Sequence, residues 1–199
     1  MSTNTVVGSI VATLIIGILI GYGIAQGAKQ TSPAKAAASN LATSSPEWKI
    51  QDAMSAAPES IGKDATVFDM TADGKLVELK KGTNGWTCLP DMPNSPGNDP
   101  ICVDGMGMKW FEAYMSNKRP NLPQDGIGYM LQGGSDASNV DPFAMAPKPG
   151  EDWVTAPAHV MIFPKGGSLD PKVYGTTPGE HPWIMYAGTP YQHLMVPVQ

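Results

Sequence analysis

The stretch that decides the fold is "WIMYAGTPYQHLMVPV", residues 183–198. Two apolar runs, "WIMYA" (183–187) and "HLMVPV" (193–198), flank "GTPYQ", a linker of hairpin length. Strand side chains alternate between faces, so His193 and Met195 project together while Leu194 and Val196 point the other way. Both faces are apolar, which predicts strands buried on both sides. The phrase is nearly repeated upstream in "AHVMIF" (158–163), where His159 and Met161 share a face. A further strand is expected at "IGYMLQ" (127–132).

Outward from these runs, 22 glycines and 19 prolines in 199 residues break the chain into short elements and predict a loop-rich domain. "TVFDM" and "KLVEL" flank an Asp73-Gly74 turn, and "TNGWTCL" carries a second turn at Asn84-Gly85. Residues 66–89 therefore read as a three-stranded meander. The proline-rich segment "PDMPNSPGNDP" (90–100) excludes a helix or a central strand. Two helices are expected. The first is capped by Ser45, has Pro46 in its first turn and Ile50, Ala53, Met54 and Ala57 at helical spacing, and stops at Pro58. The second is "MKWFEAYMSN" (108–117), with Trp110, Phe111, Tyr114 and Met115 on one face and Asp104 near its start.

The first 28 residues contain no Asp, Glu, Lys or Arg. The apolar run from Val6 to Ala25 is, as a helix, long enough to cross the ~30 Å hydrocarbon core of a bilayer. It is longer than a signal-peptide core and lacks the basic stretch before one, although Gly23-Ile24-Ala25 offers a small-residue cleavage site. Gly17 with Gly21, and Gly8 with Ala12, give small-xxx-small spacings that let a partner helix approach closely. "GAKQTSPAKAAASNLATSSP" (27–46) reads as a tether. The expected fold is thus α+β, mainly β. A single transmembrane helix (1–28) and a flexible tether (29–46) precede a loop-rich antiparallel β domain with two short helices (47–199).

Composition narrows the partners. A net charge of −5 and a pI near 5 argue against nucleic acid, whose phosphates attract a basic surface. Lys29 and Lys35 follow the apolar helix, and taken alone they favour a cytoplasmic C-terminal domain. The cysteines point the other way. Cys88 and Cys102 are the only two, outside any CxxC motif, and read most simply as a disulfide formed in an oxidising compartment. The expected setting is the bacterial inner membrane, single-pass, with the C-terminal domain in the periplasm.

Candidate chemistry is sparse. GxSxG, GxxxxGK[ST], HExxH, CxxC and CxxCH are all missing from the sequence. Ser135 in "GGSDAS" is indistinguishable from a turn serine, and a pair such as Asp141 with Glu151 is only a generic hydrolytic carboxylate pair. His159, Met161, His193 and Met195 are the most specific set. On neighbouring strands, their imidazoles and thioethers would suit copper. The bland alternative is ordinary core, because the twelve methionines are spread along the chain. Asp91, Asn98, Asp99 and Asp104, or Asp136, Ser138, Asn139 and Asp141, offer oxygens for calcium but match no calcium-loop pattern and are common turn residues. Trp86, Trp110, Trp153 and Trp183 would line a ligand cleft or simply pack the core.

Four stretches, "GIGYMLQGG" (126–134), "SNVDPFA" (138–144), Trp153 with "PAHVMI" (157–162), and "YAGTPYQHLMVPV" (186–198), resemble an uncharacterised family of bacterial exported or membrane-anchored envelope proteins. The similarity spans roughly residues 84–199. It implies an exported single-domain protein and carries over no catalytic residue. The function expected from the sequence is a non-catalytic accessory subunit, packed against other membrane proteins and the lipid bilayer, with an energy-transducing assembly as one host. The alternative is an envelope protein binding copper or a small ligand through the His-x-Met strands, and an unrecognised hydrolase comes third.

Overall fold

The computed structural model describes residues 45–198. The expected anchor, with Gly8, Ala12, Gly17 and Gly21, and almost all of the tether lie outside the described residues. Among the described residues no helix is long and apolar enough to cross a membrane.

Helix α1 (Pro46–Ser55) starts as its sequence requires: the Ser45 hydroxyl accepts from the Trp48 N–H at 3.1 Å, and Pro46 occupies a position that needs no N–H partner. A second short helix, α2 (Glu59–Gly62), follows Pro58. Strands β1 (Thr66–Met70) and β2 (Leu76–Lys80) form the expected hairpin around Gly74, whose φ of 77° is cheap only for glycine.

The expected meander is not what forms. Strand β3 (Thr87–Leu89) pairs with β1, in parallel, and leaves β2 at the sheet edge. The chain leaving β2 crosses the start of β1 instead of turning back beside β2. Gly82 makes that crossing: a Cβ on it would lie 2.2 Å from the Thr66 nitrogen and 2.3 Å from the Ala65 carbonyl carbon. The Gly82 N–H donates to the Thr66 hydroxyl and the Thr83 N–H to the Asp64 carbonyl, so the crossing keeps its polar groups bonded.

Strand β4 (Ile101–Val103), unmarked by any long apolar run, pairs antiparallel with β3, and Cys88 and Cys102 stand opposite each other in that ladder and form a disulfide. Helix α3 (Gly105–Met115) begins earlier than its apolar stripe suggests. The Asp104 carboxylate caps it, accepting from the Met106 and Gly107 N–H groups at 3.0 and 2.7 Å. Strand β5 (Gly126–Met130) continues the sheet. A two-stranded ribbon, β6 (Gly134–Asp136) with β7 (Val154–Ala156), stands apart from it. Strand β8 (His159–Phe163), the four-residue helix α4 (Pro171–Tyr174), β9 (Trp183–Met185) and β10 (His193–Pro197) complete the domain.

The eight-stranded sheet runs β2-β1-β3-β4-β5-β8-β10-β9, antiparallel at every pairing except β1–β3. Among the described residues the fold is α+β, mainly β, with four short α-helices where two were expected in this domain. The two extra ones have four residues each, too few for a helical period to show.

Two cores serve the two faces. Ala53 of α1 and Ala56 at its C-cap pack with Val67, Cys88 and Cys102 on one face. On the other, Trp110 of α3 packs with Val103, Met161, Phe163, Trp183 and Met195. Burying each large side chain of this kind contributes about 1.5–3 kcal/mol. The faces alternate along β4, where Cys102 points to α1 and Val103 to α3.

Candidate functional site

The strands β8 and β10 are neighbours, as the repeated His-x-Met phrase anticipates. Met161 stands directly opposite Met195 in their antiparallel ladder. The same face carries two further pairs of soft donors: Met130 of β5 is opposite His159, and Met185 of β9 is opposite His193. Directly opposed residues hold their Cβ atoms about 5 Å apart. Three cross-strand pairs thus bring two imidazoles and four thioethers onto one patch of sheet. Gly128 keeps the patch open, since a Cβ there would sit 2.8 Å from the Met161 methyl carbon.

This patch floors a cavity of about 210 Å³, roofed by Trp110, Phe111 and Tyr114 of α3 and walled by the β6–β7 ribbon. All four predicted ligands and both additional methionines line it. A second cavity of about 240 Å³ shares Met92, Ile101, Phe111, Tyr114, Met130, Ser135 and Asp136 with the first and adds Asp99, Met145 and Trp153. Six of the twelve methionines therefore line one pair of adjoining cavities.

Each histidine is locked by the carbonyl two residues before it, just ahead of its strand. His159 is 0% exposed, and its Nδ1 lies 2.7 Å from the Pro157 carbonyl oxygen. His193 places Nδ1 3.0 Å from the Tyr191 carbonyl. A carbonyl only accepts, so in the neutral ring Nδ1 carries the proton and Nε2 keeps its lone pair. The His159 Nε2 is buried and has no hydrogen-bond partner. Burial holds the His159 pKa below the usual imidazole value against the opposing pull of the Pro157 carbonyl. The His193 pKa is pushed down to about 4 by burial, with neighbouring His159 adding to the effect. Both rings are neutral at pH 7, the form that binds metals.

Aromatic rings fix His193 further: Trp110, Phe163 and Tyr186 lie 5.2, 5.5 and 5.5 Å from it, centroid to centroid. Tyr186 reaches this position through a left-handed backbone, φ 55°, rare for a bulky residue. Its N–H donates to the Asn139 carbonyl and its hydroxyl to Asp136 Oδ2 at 2.6 Å. Burial and the Asp136 carboxylate push the Tyr186 pKa up. Burial also raises the Asp136 pKa, against the hydrogen bond from Tyr186.

The remaining candidates are placed as follows. Ser135 donates to Asp99 Oδ2 at 3.0 Å and accepts from the Gly97 N–H, so its partner is a carboxylate and a backbone amide. Within the second acidic segment local turns take up oxygens of Asp136, Ser138 and Asp141, and in the first Asp104 serves a helix start. Asp136 accepts from the Ser138 N–H, Ser138 from Val140 and Asp141, Asp141 from Phe143, and Asp104 caps α3. Glu151 is exposed. Asp91 accepts from the Asp99 N–H, and its pKa is raised to about 7 by burial and the adjacent Asp99. Buried Asp52, which the sequence did not single out, accepts from the Asp91 N–H and the Asn98 amide. Trp110 and Trp183 line the inner cavity and Trp153 the outer one, while Trp86 packs on Tyr129 beside the α1 core. Among the described residues no three His, Cys, Asp or Glu side chains are grouped to hold a metal. Any metal bound here would depend on thioethers. Met130 and Met185 escape a reading of the sequence because only strand register puts them opposite the histidines.

Comparison with family models, with curated proteins and with solved structures finds no match to this chain. The class that the fold and cavity define is a mainly β domain with an internal chamber lined by imidazole and thioether.

Proposed function

We propose that this domain is a non-catalytic binding protein for Cu(I), held in the inner chamber by His159 Nε2 and the thioethers of the three cross-strand pairs. The observation that carries the proposal is the buried His159 Nε2 lone pair. It has no partner, its ring is oriented by the Nδ1 contact with Pro157, and His159 is among the residues that line the cavity together with the methionines. An imidazole that donates through one nitrogen to a carbonyl and leaves the other bare has the arrangement of a metal-ligating histidine. Thioether and imidazole together favour Cu(I) over harder divalent ions. The disulfide adds to this: with Cys88 and Cys102 paired, thioethers are the soft sulfur left for a cation. The same disulfide supports an exported domain, and the apolar run from Val6 to Ala25 supports a membrane-anchored one serving a larger assembly.

The test is an anaerobic titration of the full chain in detergent against a Cu(I)–bathocuproine competitor. One Cu(I) per chain is expected, with affinity at least tenfold weaker in His159→Leu and in Met161→Leu/Met195→Leu. Absence of binding, or unchanged binding in these variants, refutes the proposal.

One observation favours a second reading. The Trp110 Nε1–H, a pure donor that no metal uses, is also buried without a partner at the same cavity. About 210 Å³ exceeds an engineered apolar cavity of about 150 Å³ that holds benzene. A small neutral molecule with one acceptor atom fits both facts. In that case an organic compound, and no copper, would co-purify with the chain and be released on denaturation.

A further inference from the structure

We propose that Met145 and Met92 form an entry relay that passes Cu(I) from the surface to the chamber; this rests on the Cu(I) reading above. Met145 is 79% exposed and lines only the outer cavity. Met92 is 39% exposed and lines both cavities, as does Met130, which stands opposite His159 at the chamber floor. The three thioethers thus grade from exposed, to half-exposed, to the chamber wall.

A largely exposed methionine gains little from burial, so packing does little to hold the Met145 thioether in place. As a relay its chemistry is specific. Cu(I) binds thioether in preference to water or carboxylate oxygen, and it can exchange one sulfur for the next without leaving soft ligands. Each step breaks one Cu–S bond and forms another, and no electron or proton is transferred. Asp99 at the outer cavity adds a carboxylate that draws cations toward the mouth. Met130 completes the path, since it borders both spaces and is the cross-strand partner of His159. The partner that fits this surface is a carrier presenting Cu(I) on exposed sulfur, which Met145 can attack directly.

The experiment separates rate from affinity. Full chain and Met92→Leu/Met145→Leu are mixed anaerobically with Cu(I)–bathocuproine, and the transfer rate and the equilibrium position are measured on the same samples. Leucine keeps volume and apolarity, and neither residue belongs to the proposed ligand set. The expected result is a loading rate at least tenfold slower with affinity changed less than twofold. An unchanged rate in a variant that binds normally overturns the relay and leaves the chamber proposal standing. A proportional loss of rate and affinity overturns it too, because these methionines would then be ligands. Failure of the unsubstituted chain to bind Cu(I) overturns both.

Discussion

The Tyr186 hydroxyl donates to Asp136 Oδ2 across 2.6 Å, tying the loop after β9 to the end of β6. The bond supports a residue held at positive φ whose ring faces His193 at the chamber wall. Replacing it by Tyr186→Phe keeps the ring and leaves the half-buried Asp136 carboxylate without its hydroxyl donor. The expected cost is about 1–3 kcal/mol of stability, read from urea unfolding. Equal midpoints for the two proteins would show that the bond does not hold the loop.

Protonation of the chamber histidines should oppose folding. The His193 pKa is about 4 folded, against about 6.5 for an unperturbed imidazole, and His159 is shifted the same way. A histidine with a depressed folded value gives its full stabilisation above pH 6.5. It loses that stabilisation as pH falls toward 4, because the unfolded chain binds the proton first. In NMR spectra the His193 ring protons should remain in their neutral-form positions at pH 5.5. Movement through a midpoint near 6.5 would place that ring in solvent.

Asp91 works in the opposite direction. Its pKa is raised to about 7, so the folded state holds a proton below that value and stability falls as pH rises from about 4 to 7. Asp91→Asn keeps an oxygen for the Asp99 N–H and removes the charge. The variant should be more stable than the parent at pH 8, by a smaller margin at pH 5, and close to it only below about pH 4. Unfolding curves at the two pH values check this, and a stabilisation equal at both would contradict it. With Asp91 neutralised, the decline caused by the histidines below pH 6.5 should steepen.

Gly82 should tolerate no side chain. An added Cβ meets backbone atoms of Ala65 and Thr66 at 2.2–2.3 Å, and backbone cannot swing aside as a flexible side chain does. Gly82→Ala is expected to cost more than about 3 kcal/mol or prevent folding, whereas Gly85→Ala, whose Cβ would meet nothing within 4 Å, carries only the cost of its φ of 78°. Thermal melts of the two variants give the comparison.

Reduction should loosen the centre of the sheet. The disulfide joins β3 to β4 across a sequence separation of 14, and its loss should cost about 3 kcal/mol in the chain-entropy model. Unfolding midpoints with and without reductant measure it. Coincident midpoints would mean that the ladder alone holds the two strands.

Much of the fold is legible in sequence because local chemistry specifies it. Ser45 and Asp104 are caps wherever a helix follows, Asp73-Gly74 turns a hairpin, and alternation in "HVMIF" and "HLMVP" makes strands. Strands β4, β6 and β7, of three residues each, are too short for a period to show, and their existence depends on the partners they find. The parallel β1–β3 pairing is invisible for another reason: a turn signal at Asn84-Gly85 says that the chain bends, not to which side of β1 it passes.

By itself the sequence determined the strand periodicity, the helix caps, the single cysteine pair and the two His-x-Met phrases, all properties of residues close in the chain. Only the tertiary structure decided what those phrases face. Register set Met130 against His159, Met161 against Met195 and Met185 against His193, and gathered into one cleft methionines that the chain scatters from residue 92 to 195. Strand order and register follow from burying both faces of the whole sheet at once, a condition that no short segment contains.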